Sequence, residues 1–525
     1  MQLTAAALES TVLLSLHYCP TLLLAEDEES CASSPIGHPE EGSMLTLRRR
    51  QGTLSRTMLN DFDSIIAKLP ALYRPILKPA ITLQAEILGL LDETTEDAKS
   101  SRGHLAPPGA RSRVMGGEIL TDGENLYAIA LRELAGASVR RNPDGTLTRV
   151  TPEERRLQLD LNYISPTLSL EPLENFEALI RDLFSIELDE NRYTSDRLDE
   201  LKSEGMEPPQ MPSPREFEAA RFLADRSIRT LTVAVKSSAG LLIGDLPKQL
   251  PPGSRERVDE LTSAMTTAGL VSAELVVICT ITQAQVARTP STRVLKDLSK
   301  QGVRCACGKP IGDERIEEAV AVTDLGRVLL DKSRWFSLLL LQELLALGIP
   351  LDRILIDQQV GGDEMDCMAD LNGDLVFFEL KDKEFSLGNA YSFGAKIGIV
   401  RPGYRVIATT EHVGNDAKDH FQRADVATAR RRYDPDFYDV DDGPRAIRYI
   451  EGTQNLRPEL ESLITEINSS DANRILTEIT PLVALNPRRI LNTIEQRKGA
   501  HALDTAVVRR KAKKVATQSD ASQSE

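Results

Sequence analysis

The sequence predicts a mixed α/β, multidomain chain whose best-defined part is a helix, three strands, a helix and a strand in that order. Three observations carry that reading. An apolar helix over 333–347 ends at Gly348 and Pro350, as helices do before a breaker. Two strand-like runs, 363–371 and 374–382, are separated by Asn372-Gly373, the strongest short signal for a two-residue hairpin turn. A Gly-punctuated helical segment over 387–400 and a strand over 404–410 follow.

Taken in order, the start of the chain predicts little. Residues 1–25 are apolar but lack a basic leader and carry Glu9, which argues against a signal peptide. Residues 26–43 are acidic and rich in Ser, Pro and Gly, so 1–43 reads as disordered, with Met44 as the true start. Residues 44–250 show helical periodicity at 59–69, 81–91 and 175–184, and one expected strand within 228–242. The region therefore reads as α-rich, a scaffold or a surface for protein partners. "LPKQLPPGS" (246–254) reads as a linker.

A small module is expected over 251–332: a helix at 254–268, a strand at 274–281, a helix opened by Thr289-Pro290-Ser291, the turn Cys305-Ala306-Cys307-Gly308, and a strand at 317–323. This order loosely resembles a winged helix, and Cys-x-Cys-Gly a zinc knuckle. Arg293, Lys296 and Lys300 on the 289–301 helix are candidates for phosphate contacts. Cys279, Cys305 and Cys307 are candidate zinc ligands, but Thr282 stands where a second Cys-x₂-Cys would place a thiol. Without a fourth ligand, Zn²⁺ is not counted as a cofactor. Beyond the α/β unit, 451–503 reads as helices and 504–525 as a basic, then Ser-rich, disordered tail.

Chemistry concentrates on the hairpin. With Leu371 opposite Asp374, paired positions sum to a constant, which sets Asp366 across from Glu379 and Lys381 across from Glu364. Alternation puts Glu379 and Lys381 on one face and Val376, Phe378 and Leu380 on the other. Cys367 falls on the apolar side. Two opposed carboxylates repel, and a divalent cation between them reverses the sign.

Asp366 followed by Glu379-x-Lys381 on the next strand resembles the PD-(D/E)xK, restriction-endonuclease-like superfamily, over residues 333–425 of the expected 333–450 domain. Met365 stands where that motif often has proline. The resemblance implies an αβββαβ core and a metal-dependent endonuclease acting in restriction, phage defence, repair or mobile-element control. It implies Mg²⁺ or Mn²⁺ on Asp366, Glu379 and the Leu380 carbonyl, with Lys381 acting on the water or the developing charge. Glu343 fits the place of a further acid from the preceding helix. Glu364, Lys383, Ser386, Tyr391 and Lys396 are supporting candidates. DNA is the expected partner, with RNA left open, and a homodimer is one expected form. The alternative is a regulator that binds nucleic acid without cleaving it.

Composition limits the rest. A net charge of −16 argues against indiscriminate coating of nucleic acid, so basic contacts must be local, as at 430–432 or 509–514. Six scattered cysteines in 525 residues are no disulfide framework, and a reducing cytoplasm is expected. The apolar 335–348 stretch is too short to span a bilayer and contains Glu343.

Overall fold

The structure is a computed structural model describing residues 44–55, 57–87, 114–133, 139–141, 147–149, 156–360, 362–431, 446–480, 490, 491, 493 and 494. The expected N-terminal disorder and the 504–525 tail lie outside these residues, whereas of the helices expected over 451–503 Leu456–Ile479 is described. Two compact units emerge, Met1–Tyr193 with Leu460–Glu525, and Thr194–Glu459. Residues after 460 complete the core of the first unit.

That first unit is not α-rich. Its centre is a six-stranded antiparallel sheet in which Thr46–Ser55, Val114–Asp122, Asn125–Glu133 and Arg156–Ser165 are the long strands. A two-residue Gly123-Glu124 loop joins the middle pair, with Gly123 at φ +57. Both faces are covered. Leu159, Leu161, Phe176 and Ile180 pack on one, and Ile119, Ala128, Ile475 and Leu476 on the other. Burial on both faces removes the polar alternation that marks an exposed strand, which leaves these strands without their usual pattern in the sequence.

In the second unit, the segment expected to hold a strand at 228–242 is mainly the helix Arg226–Ser237. Asp225 caps it, accepting from the Ser227 and Ile228 amides, and Ile228, Leu231, Thr232 and Val235 form one buried stripe. Capping and a 3.6-residue stripe outweigh the β-branched composition. The expected linker folds into 3₁₀ turns, Ile243–Gln249 and Pro252–Arg257, with Leu246 and Leu250 buried.

The small module comprises α1 (Val258–Thr267), β1 (Val271–Ile278), β2 (Gln285–Thr289), α2 (Thr292–Lys300) and β3 (Arg315–Val322). Its sheet runs β2-β1-β3 and then Leu241–Leu242. A two-stranded wing after two helices does not describe it, because β2 precedes α2 and pairs antiparallel with β1. Ser291 caps α2 at the Val294 amide.

The larger sheet belongs to α3 (Arg334–Ala346), β4 (Ile354–Val360), β5 (Asp363–Leu371), β6 (Asp374–Lys381), α4 (Leu387–Val400), β7 (Tyr404–Thr409), α5 (Asn415–Arg431) and β8 (Arg448–Glu451). Strand order is β4-β5-β6-β7-β8, antiparallel through β6 and parallel beyond it. This is the expected helix, three strands, helix, strand order, with one further parallel strand.

Candidate functional site at the β5–β6 hairpin

The hairpin forms because its turn chemistry and its pattern agree. Leu371 pairs with Asp374, and both Asn372 and Gly373 take positive φ, 55 and 97. Asp370 anchors the turn by accepting from the Gly373 amide at 2.7 Å, while its other oxygen accepts from Arg353 Nε at 3.0 Å. The paired ladder runs from that turn to Cys367 and Phe378. At the next position a side chain takes over: Asp366 Oδ2 accepts from the Leu380 amide at 2.6 Å.

Glu379 is buried, 1 % exposed, and both its oxygens are engaged by ammonium groups. Lys381 Nζ lies 2.8 Å from Oε1 and Lys396 Nζ 2.7 Å from Oε2. Lys396, one of the supporting candidates, comes from α4 and is part of the core, 6 % exposed. A signal for this existed. Ala390, Phe393, Lys396 and Val400 follow helical spacing on the buried face of α4.

Burial, reinforced by the Glu379 charge, pushes the Asp366 carboxyl up to about 7, against the pull of Lys381, the Leu380 amide and Lys396. Burial also opposes charge on Lys381, but Glu379 and Asp366 outweigh it and hold that ammonium above its ordinary range. The far end of β6 is fixed by Asp382, which accepts from Trp335 Nε1 at 3.2 Å and pairs with Arg229 Nε at 2.9 Å.

Other expected members lie elsewhere. Glu343 pairs with Arg457 at 3.3 Å. Glu364, expected opposite Lys381, pairs with Lys332 at 3.1 Å, because Lys381 turns toward the buried Glu379. Lys383 and Ser386 are exposed, and Ser386 caps α4 with Asn389. Tyr391 is exposed and packs edge-on against His420, ring centroids 4.7 Å apart. Arg293, Lys296 and Lys300 are exposed on α2. Cys367 is buried in the sheet. The side chains at 430–432 and the run at 509–514 lie outside the described residues.

Asp357 was not anticipated. It takes φ 52 in β4, where the ladder to β5 skips it opposite Asp366. Ser337 of α3 holds it at 2.9 Å, and burial raises its carboxyl above the usual range. Left-handed backbone at a non-glycine inside a strand is uncommon, and aspartate is among the residues that tolerate it.

Asp366, Glu379 and the Leu380 carbonyl offer oxygen only, the donor set suited to Mg²⁺ or Mn²⁺. Burial first, and the Glu379 charge second, raise the Asp366 carboxyl, and both costs would be eased by a cation bound between the two carboxylates. Among the described residues, no third carboxylate joins these two in a tight ligand cluster. The group that does cluster is Cys279, Cys305, Cys307 and Glu314. Among the described residues no helix is long and apolar enough to cross a membrane.

No family model matches the chain, and no curated protein matches it. Among solved structures it is similar to protein VC1899 from Vibrio cholerae, at 12% identity and a TM-score of 0.22, over 49% of this chain and 58% of that one. It is also similar to a repair endonuclease from Pyrococcus abyssi, at 10% identity and a TM-score of 0.14, over 37% of this chain and 94% of that one. The chain thus spans little more than half the length of VC1899. At TM-scores this low, neither likeness establishes a shared fold.

Proposed function

We propose that the unit built on β4 to β8 is a metal-dependent nuclease domain that hydrolyses phosphodiester bonds, with DNA as the substrate. One observation carries the reading: Asp366, Glu379 and Lys381 meet at the end of a hairpin in a sheet of restriction-endonuclease-like element order. A divalent cation on Asp366, Glu379 and the Leu380 carbonyl would polarise phosphate and acidify water. Lys381 stabilises negative charge that develops at the attacked phosphate, its ammonium kept charged by Glu379 and Asp366. Lys396 holds Glu379 from behind and so orients it.

A second reading has one observation in its favour. Two ammonium groups already face the two carboxylates, so the fold stands without a cation. On that reading the domain binds nucleic acid and cleaves nothing.

Incubation of the full chain with supercoiled plasmid, with Mg²⁺ or Mn²⁺ and then with EDTA, separates the two. Cation-dependent nicking is expected, reduced about 100-fold or more in Lys381→Ala. Asp366→Asn and Glu379→Gln should lose cation binding and nicking together. Undiminished cleavage by any of these three variants would show that the chemistry lies elsewhere. Plasmid binding with no cleavage under either cation would favour the second reading.

A further inference from the structure

We propose that Cys279, Cys305, Cys307 and Glu314 form a four-coordinate structural zinc site that ties together two loops of the small module. Their ligand atoms all lie within 4.8 Å of one another. Tetrahedral zinc with thiolate bonds of about 2.3 Å needs sulfurs about 3.8 Å apart, so modest closure completes the shell. The sequence shows no fourth thiol or imidazole at the expected spacing; the structure supplies a carboxylate instead.

The state of Glu314 is the independent sign. It is buried, 5 % exposed, and among the described residues no lysine or arginine pairs with it directly, Lys309 reaching only the Thr280 hydroxyl at 2.8 Å. One oxygen, Oε2, accepts from the Thr280 amide at 2.7 Å and the Thr280 hydroxyl at 2.9 Å. The other, Oε1, faces the thiols and accepts from Cys307 Sγ at 2.9 Å. A buried carboxylate with only neutral partners is costly unless a cation joins it. The arrangement is that of a ligand held by an outer hydrogen-bonding group, with its other oxygen turned toward the thiols, where a metal would sit.

Each loop is shaped to present sulfur. In the β1–β2 loop, Gln283 takes φ 58, the Cys279 amide and carbonyl bond to Ala284 and Gln283, and the Thr282 amide points at Cys279 Sγ at 3.3 Å. In the α2–β3 loop, the Gly308 amide donates to the Cys305 carbonyl at 2.8 Å, with Gly308 at φ +91, and the Cys305 amide donates to Lys309 at 2.9 Å. The Thr282 amide donor favours the thiolate at Cys279, the form that binds metal. The module also needs a staple. Its buried apolar clusters are small, Val277, Leu295 and Ile311 in one and Val276, Ile278 and Ala319 in the other. Binding would replace the thiol protons by the ion, so it is coupled to proton release. This site is separate from the hairpin and does not depend on nuclease activity.

The test is elemental analysis of the full chain after dialysis against metal-free buffer, followed by exchange with Co²⁺. About one zinc per chain is expected, with the thiolate charge-transfer bands of tetrahedral cobalt after exchange. Cys305→Ser and Cys307→Ser should lose the metal, and Glu314→Gln should hold it more weakly in chelator competition. Asp366→Asn should keep it in full. The proposal is overturned by a metal-free chain with no cobalt spectrum, by a disulfide among the three cysteines, or by zinc that survives in the cysteine variants. Zinc lost from Asp366→Asn would also overturn it, by placing the metal at the hairpin. Should the cysteine variants fail to fold, the cobalt spectrum of the unaltered chain decides alone.

Discussion

In the β5–β6 hairpin two carboxylates face two ammonium groups, whereas around Cys305 three thiols and a carboxylate share only neutral donors. Both sites crowd ligands of one charge type into a partly desolvated place. The hairpin carries its own counter-charge, so a cation there would be exchangeable, arriving with substrate and leaving. At the thiol cluster Lys309 bonds the Thr280 hydroxyl and no ligand atom directly, so a cation there would belong to the fold. On the two proposals, the internal counter-charge rather than the ligand set would separate an exchangeable cation from a structural one.

The sharpest way to break this contrast is to remove the internal cation. Lys396→Ala leaves Glu379 Oε2 buried opposite nothing, and should cost about 3–5 kcal/mol of stability. Urea unfolding followed by the single tryptophan, the buried Trp335 of α3, reads it directly. A loss of under about 1 kcal/mol would mean that Glu379 does not need its lysine. Glu379→Gln in the same background should restore much of the loss, since it removes the stranded charge.

At the other site, Thr280→Val removes the hydroxyl that orients Glu314 while leaving the Thr280 amide in place. Zinc retention in chelator competition should fall about 10–100-fold. Unchanged retention would show that Glu314 is not oriented as a ligand.

Next in size is a pH effect in metal-free buffer. The folded chain holds a proton on Asp366 up to about pH 7, whereas the unfolded chain releases it nearer the usual carboxylate range. Between those values the folded state binds the extra proton, so the Asp366 contribution to stability declines as pH rises through that window. Asp366→Asn should therefore melt above the unaltered chain at about pH 8, by about 2–4 °C for each kcal/mol relieved, and lose that advantage at about pH 4. An equal gain at both pH values would exclude the charge as its cause. Glu379→Gln should give no such gain, because Glu379 is compensated by two lysines. The smallest effect tests the turn. Asn372→Ala forces an alanine into left-handed backbone and should cost about 1–2 kcal/mol without altering zinc content.

Sequence alone determined the local parts of this protein. Asn372-Gly373 and the strand-like runs beside it sufficed to place the hairpin as far as Cys367 and Phe378, because turn type sets register. Helix ends such as Gly348 and Ser291 were legible for the same local reason. Burial on both sides of a sheet is not legible, which is why residues 44–250 read as α-rich although Leu131 and Leu159 lie in strands.

Only tertiary structure decided the partners of charged groups. Lys396 reaches Glu379 across a helix–sheet contact 17 residues apart, Glu343 goes to Arg457 over a separation of 114, and Glu314 folds back onto Cys307 and Thr280. Periodicity can say which face a side chain occupies. A buried charge takes whichever opposite charge or donor the packing brings within reach, and that choice is made by the fold as a whole.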